Sequence, residues 1–259
     1  NFEVHNHWNH CVFLESMALI DTQTLKTTLE NLLKHHDALR LRYRKTAKYW
    51  EQYYAEIDEE NILEIIGLVS TSTEDMLSEL NLEAHKLEER LSIEHGPILQ
   101  AALFLNRTNN TQYLWLGVHH LVVDGVSWRI ILDDLETIYH QLTSKDSVFL
   151  PRKTISYQEW SRELKQYATS SGLQRQLDYW QEFINVPHSP LPIDYKLGPN
   201  IIASEETIHV CLSEEDTNVL LSKLPKAYQV GINDVLLAAL QQTISKWTDN
   251  DYLWLWLEG

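Results

Sequence analysis

The sequence predicts a mixed α/β fold, an α+β sandwich in which one layer of strands is covered by helices. Three observations support this class. Residues 99–105 and 113–120 are apolar at almost every position, which is typical of strands buried on both faces. The segments around them repeat apolar residues every three or four positions, as amphipathic helices do. The order of these segments places the strands in one layer and the helices over it.

The composition and charge indicate a globular chain and exclude some classes of partner. Of its 259 residues, 44% are hydrophobic and 22% are charged, enough to build a core in one large or two ordinary domains. The net charge of −16 would repel phosphates, so we expect no nucleic acid partner. No apolar run approaches the roughly 18 residues of a membrane span, and the first residues lack a signal pattern. We therefore expect no membrane partner and a cytoplasmic location.

The elements that precede the central motif are predicted by local patterns. Residues 5–15 have the pattern of a strand with a polar start. Asp21 and Ser72 each precede a stretch with one apolar face, so each is expected to cap a helix. Asp75, three residues after Ser72, completes a capping pair. The polar residues 106–111 separate two apolar strands, which predicts a hairpin turn.

Three histidines lie near the start of the chain, within the first predicted strand. His5 and His7 would point to one face of that strand, and His10 would point to the other. A metal site with three protein ligands needs all three side chains to converge on one point. The sequence therefore predicts no metal site in this segment, and we expect none elsewhere in the chain.

The later part of the chain has the pattern of a second unit. A serine-serine-glycine run at 170–172 is the best candidate for a linker. It divides the sequence into a first lobe, 1–171, and the first part of a second lobe, 172–259. In the second lobe, residues 206–212 alternate apolar and polar side chains, and residues 252–257 alternate aromatic and aliphatic ones. Both patterns predict strands.

A polar cluster at residues 119–128 interrupts the apolar pattern, between the end of a buried strand and the start of a helix. Adjacent residues of a strand point to opposite faces, so we expect His120 to face a cleft and His119 to pack inward. Asp124 and Gly125 form a turn dipeptide. An imidazole at the end of a rigid strand suits a general base. The residues alone leave open a buried, hydrogen-bonded histidine with a structural role.

The same cluster carries a resemblance to a known family. His119-His120-x-x-x-Asp124-Gly125 resembles the H-H-x-x-x-D-G motif of the condensation superfamily of nonribosomal peptide synthetases. The following Val-Ser-Trp, with Ser127 and Trp128, resembles the epimerization branch of that superfamily. This motif makes the chain similar to an epimerization domain.

Further segments extend the resemblance over nearly the whole chain. Residues 7–11 are similar to the H-(F/W)-N-Q-S segment, with histidine in place of glutamine and cysteine in place of serine. Residues 35–43 resemble H-H-x-A-L-R-x-R-(F/Y). Residues 233–237 resemble N-D-x-L-L, and 258–259 resemble the first two residues of E-G-H-G-R-E.

The resemblance implies a particular fold and a particular set of partners. It implies a chloramphenicol-acetyltransferase-like lobe with a mixed sheet covered by helices, and the beginning of a second similar lobe. The partners would be a peptidyl carrier protein with its aminoacyl or peptidyl thioester and the neighbouring synthetase domains. The substrate would be carried on the phosphopantetheine arm of the carrier protein, and the chain itself would bind no cofactor.

The implied reaction is epimerization of the aminoacyl or peptidyl thioester from L to D at the α-carbon. Inversion requires that the α-proton is removed and that another is returned from the opposite face, which two opposed acid/base groups can do. The candidates for these catalytic groups are His120 and Glu258. His119 is expected to be structural, while Arg40 would pair with Asp124 and shape the loop.

The remaining motif residues are expected to shape the site rather than to react. Gly125 would form the turn that lets the pantetheine arm approach. Ser127 and Trp128 would complete the site after that turn.

Two alternative functions stay open. The chain could be a condensation domain that forms an amide bond between two carrier-bound substrates, with His120 acting on the attacking amine. It could also be a non-catalytic module that only docks a carrier protein. Ser127, Trp128 and Glu258 favour the epimerase over the condensation domain, and the intact motif argues against a non-catalytic module.

Overall fold

The structure, a computed structural model, describes most of the chain and divides it into two compact units, Asn1–Gln166 and Tyr167–Gly259. The predicted lobe boundary after residue 171 stays a prediction. The described residues are 5–16, 18–57, 61–69, 72–106, 110–186, 190–195, 197–198 and 201–257.

The described strands of the first unit form a four-stranded sheet and a two-stranded hairpin. The four-stranded sheet has the order β1-β6-β5-β4, and it is mixed because β4 runs parallel to β5 while the other neighbours are antiparallel. The hairpin pairs β2 with β3. The strands are β1 (Asn9–Ser16), β2 (Leu41–Lys45), β3 (Trp50–Tyr54), β4 (Leu63–Leu68), β5 (Leu99–Asn106) and β6 (Thr111–His119).

The described helices that begin in the first unit include two that start at the predicted caps. The Asp21 carboxylate accepts the N–H of Thr24 at 2.7 Å, and the Ser72 hydroxyl accepts the N–H of Asp75 at 3.1 Å. These contacts satisfy backbone N–H groups that have no partner within the helix. The helices are α1 (Thr22–His35), α2 (Thr73–Glu88), α3 (Gly125–Thr143) and α4 (Tyr157–Ala168).

The sheet is covered on both faces, which explains its unbroken apolar sequence. Alternate residues of β6, Leu114 and Leu116 among them, pack with α1 and α3. Trp115 points the other way and packs with Phe104 of β5 and with α2. The Trp115 ring lies across Gly117, where an added Cβ would come within 2.3 Å of it. Burying each large apolar side chain contributes about 1.5–3 kcal/mol, so the contacts between the sheet and its helices contribute much of the stability of the unit.

The second unit is helical in its described part, and two predicted strands are wrong. Residues 206–212 and 252–257 have no strand pairing in the structure. A strand needs a neighbour to bond to, and the described part of this unit supplies none. Its helices are α5 (Ser171–Gln174), α6 (Leu177–Ile184), α7 (Glu214–Asn218), α8 (Leu224–Tyr228) and α9 (Ile232–Thr248). No described helix of either unit is long and apolar enough to cross a membrane.

Candidate active site

His119 lies at the end of β6 and is buried, with 2% of its surface exposed. Its Nδ1 accepts the N–H of Leu121 at 3.1 Å, so the proton of the neutral ring lies on Nε2, which donates to the carbonyl of His5 at 2.8 Å. Burial lowers the pKa of the imidazole. Both ring nitrogens are occupied, and the ring therefore ties the turn that precedes β1 to the end of β6.

His120 has the opposite orientation and is exposed, as the alternation of strand residues predicts. Its backbone N–H donates to the carbonyl of Trp8 at 2.8 Å, and its Nδ1 lies 2.8 Å from the carbonyl of Val123. A carbonyl only accepts, so Nδ1 carries the proton, and Nε2 of the neutral ring has a free lone pair. The ring of His10 lies over it, with centroids 3.9 Å apart. The arrangement fixes the tautomer that a general base requires.

Asp124 is the N-cap of α3 rather than a free carboxylate. It accepts the hydroxyl of Ser127 at 2.6 Å and the backbone N–H of Ser127 at 2.7 Å. These two bonds, the hydroxyl first, lower the pKa of the carboxyl, with a smaller effect from His120. The next side chain, Trp128, is buried in the core and anchors the first turn of α3. Ser127 and Trp128 therefore fix the loop that carries His120.

The predicted ion pair between Arg40 and Asp124 is wrong. Arg40 lies in a 3₁₀ turn, and its Nη2 lies 2.6 Å from Oδ1 of Asp37, three residues earlier. The rest of the guanidinium donates to the carbonyls of Leu33 and Ala55, at 3.1 and 3.2 Å. Arg40 therefore pairs with Asp37, which is nearer in the sequence. Asp124 instead accepts hydrogen bonds at the start of α3. Arg40 therefore holds the end of α1 to the hairpin.

The turn at Gly125 does not use the positive φ that commonly favours glycine in a turn dipeptide. It is the first residue of α3, and among the described glycines only Gly96 has a positive φ. A Cβ added at Gly125 would meet nothing within 4 Å. The space beside this residue is therefore open.

The second catalytic candidate, Glu258, lies outside the described residues, together with Gly259. Its role and its distance from His120 stay predictions.

His120 lines two cavities formed by the described residues, and sequence reasoning predicted the lining of neither. The larger cavity has a volume of about 530 Å³, and its walls are mostly aromatic and aliphatic. We call it the aromatic cavity, and it is lined by His5, Trp8, Tyr43, Trp50, Ile93, His119, His120 and Leu121. A second cavity of about 340 Å³ lies beside Asp124, Ser127 and Tyr157 and also reaches His120. His120 therefore lines both cavities.

One group in the described part of the chain has the spacing of metal ligands, although no metal was expected. His35, His36 and Asp134 offer ligand atoms within 4.8 Å of one another. Nε2 of His36 lies 2.8 Å from Oδ2 of Asp134, a hydrogen bond that joins the end of α1 to α3. The amino-terminal histidines do not form such a group among these residues, because His5 lies in a turn before β1 and His10 lies within it.

Solved structures share this architecture of a mixed sheet covered by helices. The epimerization domain from the third module of tyrocidine synthetase B superposes with a TM-score of 0.84 at 30% identity, over 95% of this chain and 56% of that one. The first condensation domain of the calcium-dependent antibiotic synthetase superposes with a TM-score of 0.70 at 20% identity, over 95% and 57%. These likenesses confirm the predicted mixed α/β fold class.

Sequence comparison defines the family. The family model described as the condensation domain matches residues 1–256. Surfactin synthase subunit 2 of Bacillus subtilis (strain 168) is 37% identical over 260 residues, which cover 100% of this chain and 7% of that protein. The chondramide synthase of Chondromyces crocatus is 37% identical over 268 residues, again 100% of this chain and 7% of that protein. The chain belongs to the condensation domain family of nonribosomal peptide synthetases, and it spans a small part of the length of these relatives.

Proposed function

We propose that this chain is part of a domain that epimerizes an aminoacyl or peptidyl thioester at its α-carbon. The substrate would be held on the phosphopantetheine arm of a carrier protein, within a nonribosomal peptide synthetase that also supplies the neighbouring domains. The observation that carries the proposal is the geometry of His120, an exposed residue whose Nδ1 is bonded to the carbonyl of Val123 at 2.8 Å, which leaves the lone pair of the neutral ring on Nε2. The likeness to an epimerization domain, at 30% identity, supports it.

The proposed chemistry uses His120 as a proton acceptor on one face of the α-carbon. Nε2 takes the α-proton, and the electron pair of the C–H bond moves into the thioester carbonyl. Return of a proton to the opposite face restores the carbonyl and inverts the centre. We assign this return to Glu258. General acid or base catalysis contributes roughly 10²–10⁴-fold to a rate.

The other residues of the motif hold the base in place. His119 fixes the end of β6 from inside, and Asp124 caps α3 through Ser127, so the five residues between β6 and α3 are tied at both ends. The open space at Gly125 leaves room for the thioester arm. No step of this proposal requires a metal or a cofactor bound by the chain.

A condensation reaction is the second candidate, because the family model that matches is that of the condensation domain. There, Nε2 of His120 would accept a proton from an attacking amine, and the product would be an amide between two carrier-bound substrates. The two reactions differ in which proton is removed, so isotopic exchange at the α-carbon separates them.

The decisive experiment follows the α-proton. A carrier protein loaded with an L-aminoacyl thioester is incubated in deuterated water with the full protein that contains this chain, and both deuterium uptake and D-isomer formation are measured. We expect uptake and inversion with the wild type. His120→Ala and Glu258→Gln should each block inversion, and one of them should retain one-sided exchange.

The control is His140→Ala, since His140 is an exposed histidine in the last turn of α3. It should leave both rates unchanged. Absence of exchange with every variant, together with amide formation when a second loaded carrier is added, would assign the domain to condensation. Inversion by either catalytic variant at nearly the wild-type rate would contradict the mechanism with two bases.

A further inference from the structure

The aromatic cavity touches the group to which the proposed function assigns proton removal. His120 forms part of its wall, and Leu121 follows directly. Pockets of about 300–1,000 Å³ are the usual size for small-molecule sites, and this one has about 530 Å³. A side chain attached to the α-carbon in front of Nε2 would therefore lie within reach of this space.

The walls of the aromatic cavity are joined by backbone hydrogen bonds between distant segments. The N–H of His120 donates to the carbonyl of Trp8, and the N–H of Tyr43 donates to the carbonyl of Ile93, both at 2.8 Å. The ring of Trp50 meets that of His5 edge to face, with centroids 5.3 Å apart. The cavity is therefore built into the fold rather than formed by loose side chains.

The chemistry of the walls favours an apolar occupant. None of the described residues that line the cavity is Asp, Glu, Lys or Arg. Burial raises the pKa of Tyr43 to about 12, so its hydroxyl is neutral at physiological pH. A charged side chain would lose water here without meeting a carboxylate, ammonium or guanidinium group among these lining residues, which is costly. An apolar side chain would gain by leaving water.

We infer that the aromatic cavity holds the side chain of the residue whose α-carbon faces His120, and that it selects large apolar or aromatic side chains. This inference rests on the proposed function, because it takes the α-carbon to be the atom that His120 addresses. Trp8, Tyr43 and Trp50 are the specificity-determining residues. Small side chains leave the cavity largely empty, and charged ones are rejected.

Binding tests the selection without requiring turnover. The probes are aminoacyl amides of aminopantetheine carrying phenylalanine, leucine, alanine, lysine or glutamate, and the dissociation constants are measured by calorimetry. We expect the phenylalanyl and leucyl probes to bind roughly 10-fold or more tightly than the alanyl probe, because each methylene in an apolar pocket changes selectivity by about 10–200-fold. The lysyl and glutamyl probes should bind most weakly.

Two residues of the same strand provide a matched pair of variants. Trp50 lines the aromatic cavity, whereas Tyr53 lines a different one, and the two are similarly exposed at 39% and 43%. Trp50→Ala should reduce the preference for phenylalanyl over alanyl at least about 5-fold, and Trp50→Phe should restore most of it. Tyr53→Ala should leave the preference unchanged.

The outcomes separate this inference from the proposed function. Equal affinity for all five probes, or equal effects of Trp50→Ala and Tyr53→Ala, would overturn the assignment of the cavity. The same amino acids are then loaded as thioesters, and α-exchange in deuterated water should follow the order of binding. Exchange that is uniform across side chains would contradict the inference while leaving epimerization intact. Selective binding without any exchange would support the cavity and reject epimerization.

Discussion

The two units of this chain both contain amphipathic helices, but only the first has a core among its described residues. All of the described buried apolar side chains lie between Leu25 and Ile138, in the first unit. In the second unit Phe183 and Trp254 contact each other with ring centroids 4.9 Å apart, but their side chains are 46% and 38% exposed. A sheet covered on both faces removes whole strands from water, whereas an amphipathic helix buries only its apolar stripe.

The largest expected effect comes from a substitution in the core of the first unit. Leu103→Ala removes a side chain that is fully buried in β5, and it should lower the free energy of unfolding by about 2–5 kcal/mol. Leu240→Ala in α9 is the matched change, and because Leu240 is 42% exposed it should cost less than about 0.5 kcal/mol. Urea denaturation of both variants measures the difference. Equal losses would mean that the second unit has a core comparable to the first.

A smaller effect compares two helix caps of the same geometry. Ser72 and Ser213 each accept an N–H at 3.1 Å from an aspartate three residues later and donate to that carboxylate at 2.6 Å. Ser72→Ala should destabilise the first unit by about 1 kcal/mol, a typical loss for a cap.

Ser213→Ala should leave that transition unchanged, because α7 belongs to the other unit. The midpoint of urea denaturation, followed by the fluorescence of Trp115 and its neighbours, is the measurement. A loss of similar size from both variants would show that the two units unfold together.

The smallest expected effect is a dependence of stability on pH. Burial lowers the pKa of His119 and of His36 in the folded chain below the ordinary value of 6.5. Below a pH of about 6.5 the unfolded chain therefore binds more protons than the folded chain does. The free energy of unfolding of the first unit should decrease as the pH falls through this range. His119→Gln removes one titrating group and keeps an amide donor for the carbonyl of His5, so it should flatten the dependence. An unchanged slope between pH 7 and pH 5 would contradict this account of His119.

The elements that sequence reasoning predicted correctly are those whose signals are local. The apolar runs of β5 and β6 and the caps Asp21 and Ser72 each depend on residues within a few positions, and the structure has all of them. The alternation at 206–212 shows which side chains would share a face, but a strand also needs a neighbour, and no local pattern specifies one.

Two parts of the site were not predicted from the sequence. They depend on competition between carboxylates for one arginine and on contacts between residues that are distant in the sequence. Arg40 pairs with Asp37, and a comparison of motifs does not consider such an alternative partner. The aromatic cavity escaped notice because Trp8, Tyr43 and Ile93 meet only after the strands pair. The orientation of His119 and His120 was predictable, since it depends only on the alternation of one strand.

The bond between Nδ1 of His120 and the carbonyl of Val123 has a consequence for isotope experiments. Because one edge of the ring is occupied, a proton taken by Nε2 has no second exit through the imidazole. Under the proposed function the proton therefore leaves from Nε2, the atom that received it. While the substrate is bound, Nε2 faces the carbanion. Internal return then competes with release to water, so deuterium uptake reports fewer events than the number of C–H bonds broken. Internal return also makes cleavage of the C–H bond partly reversible, so the primary isotope effect on inversion, measured with α-deuterated substrate in ordinary water, should fall below its intrinsic value.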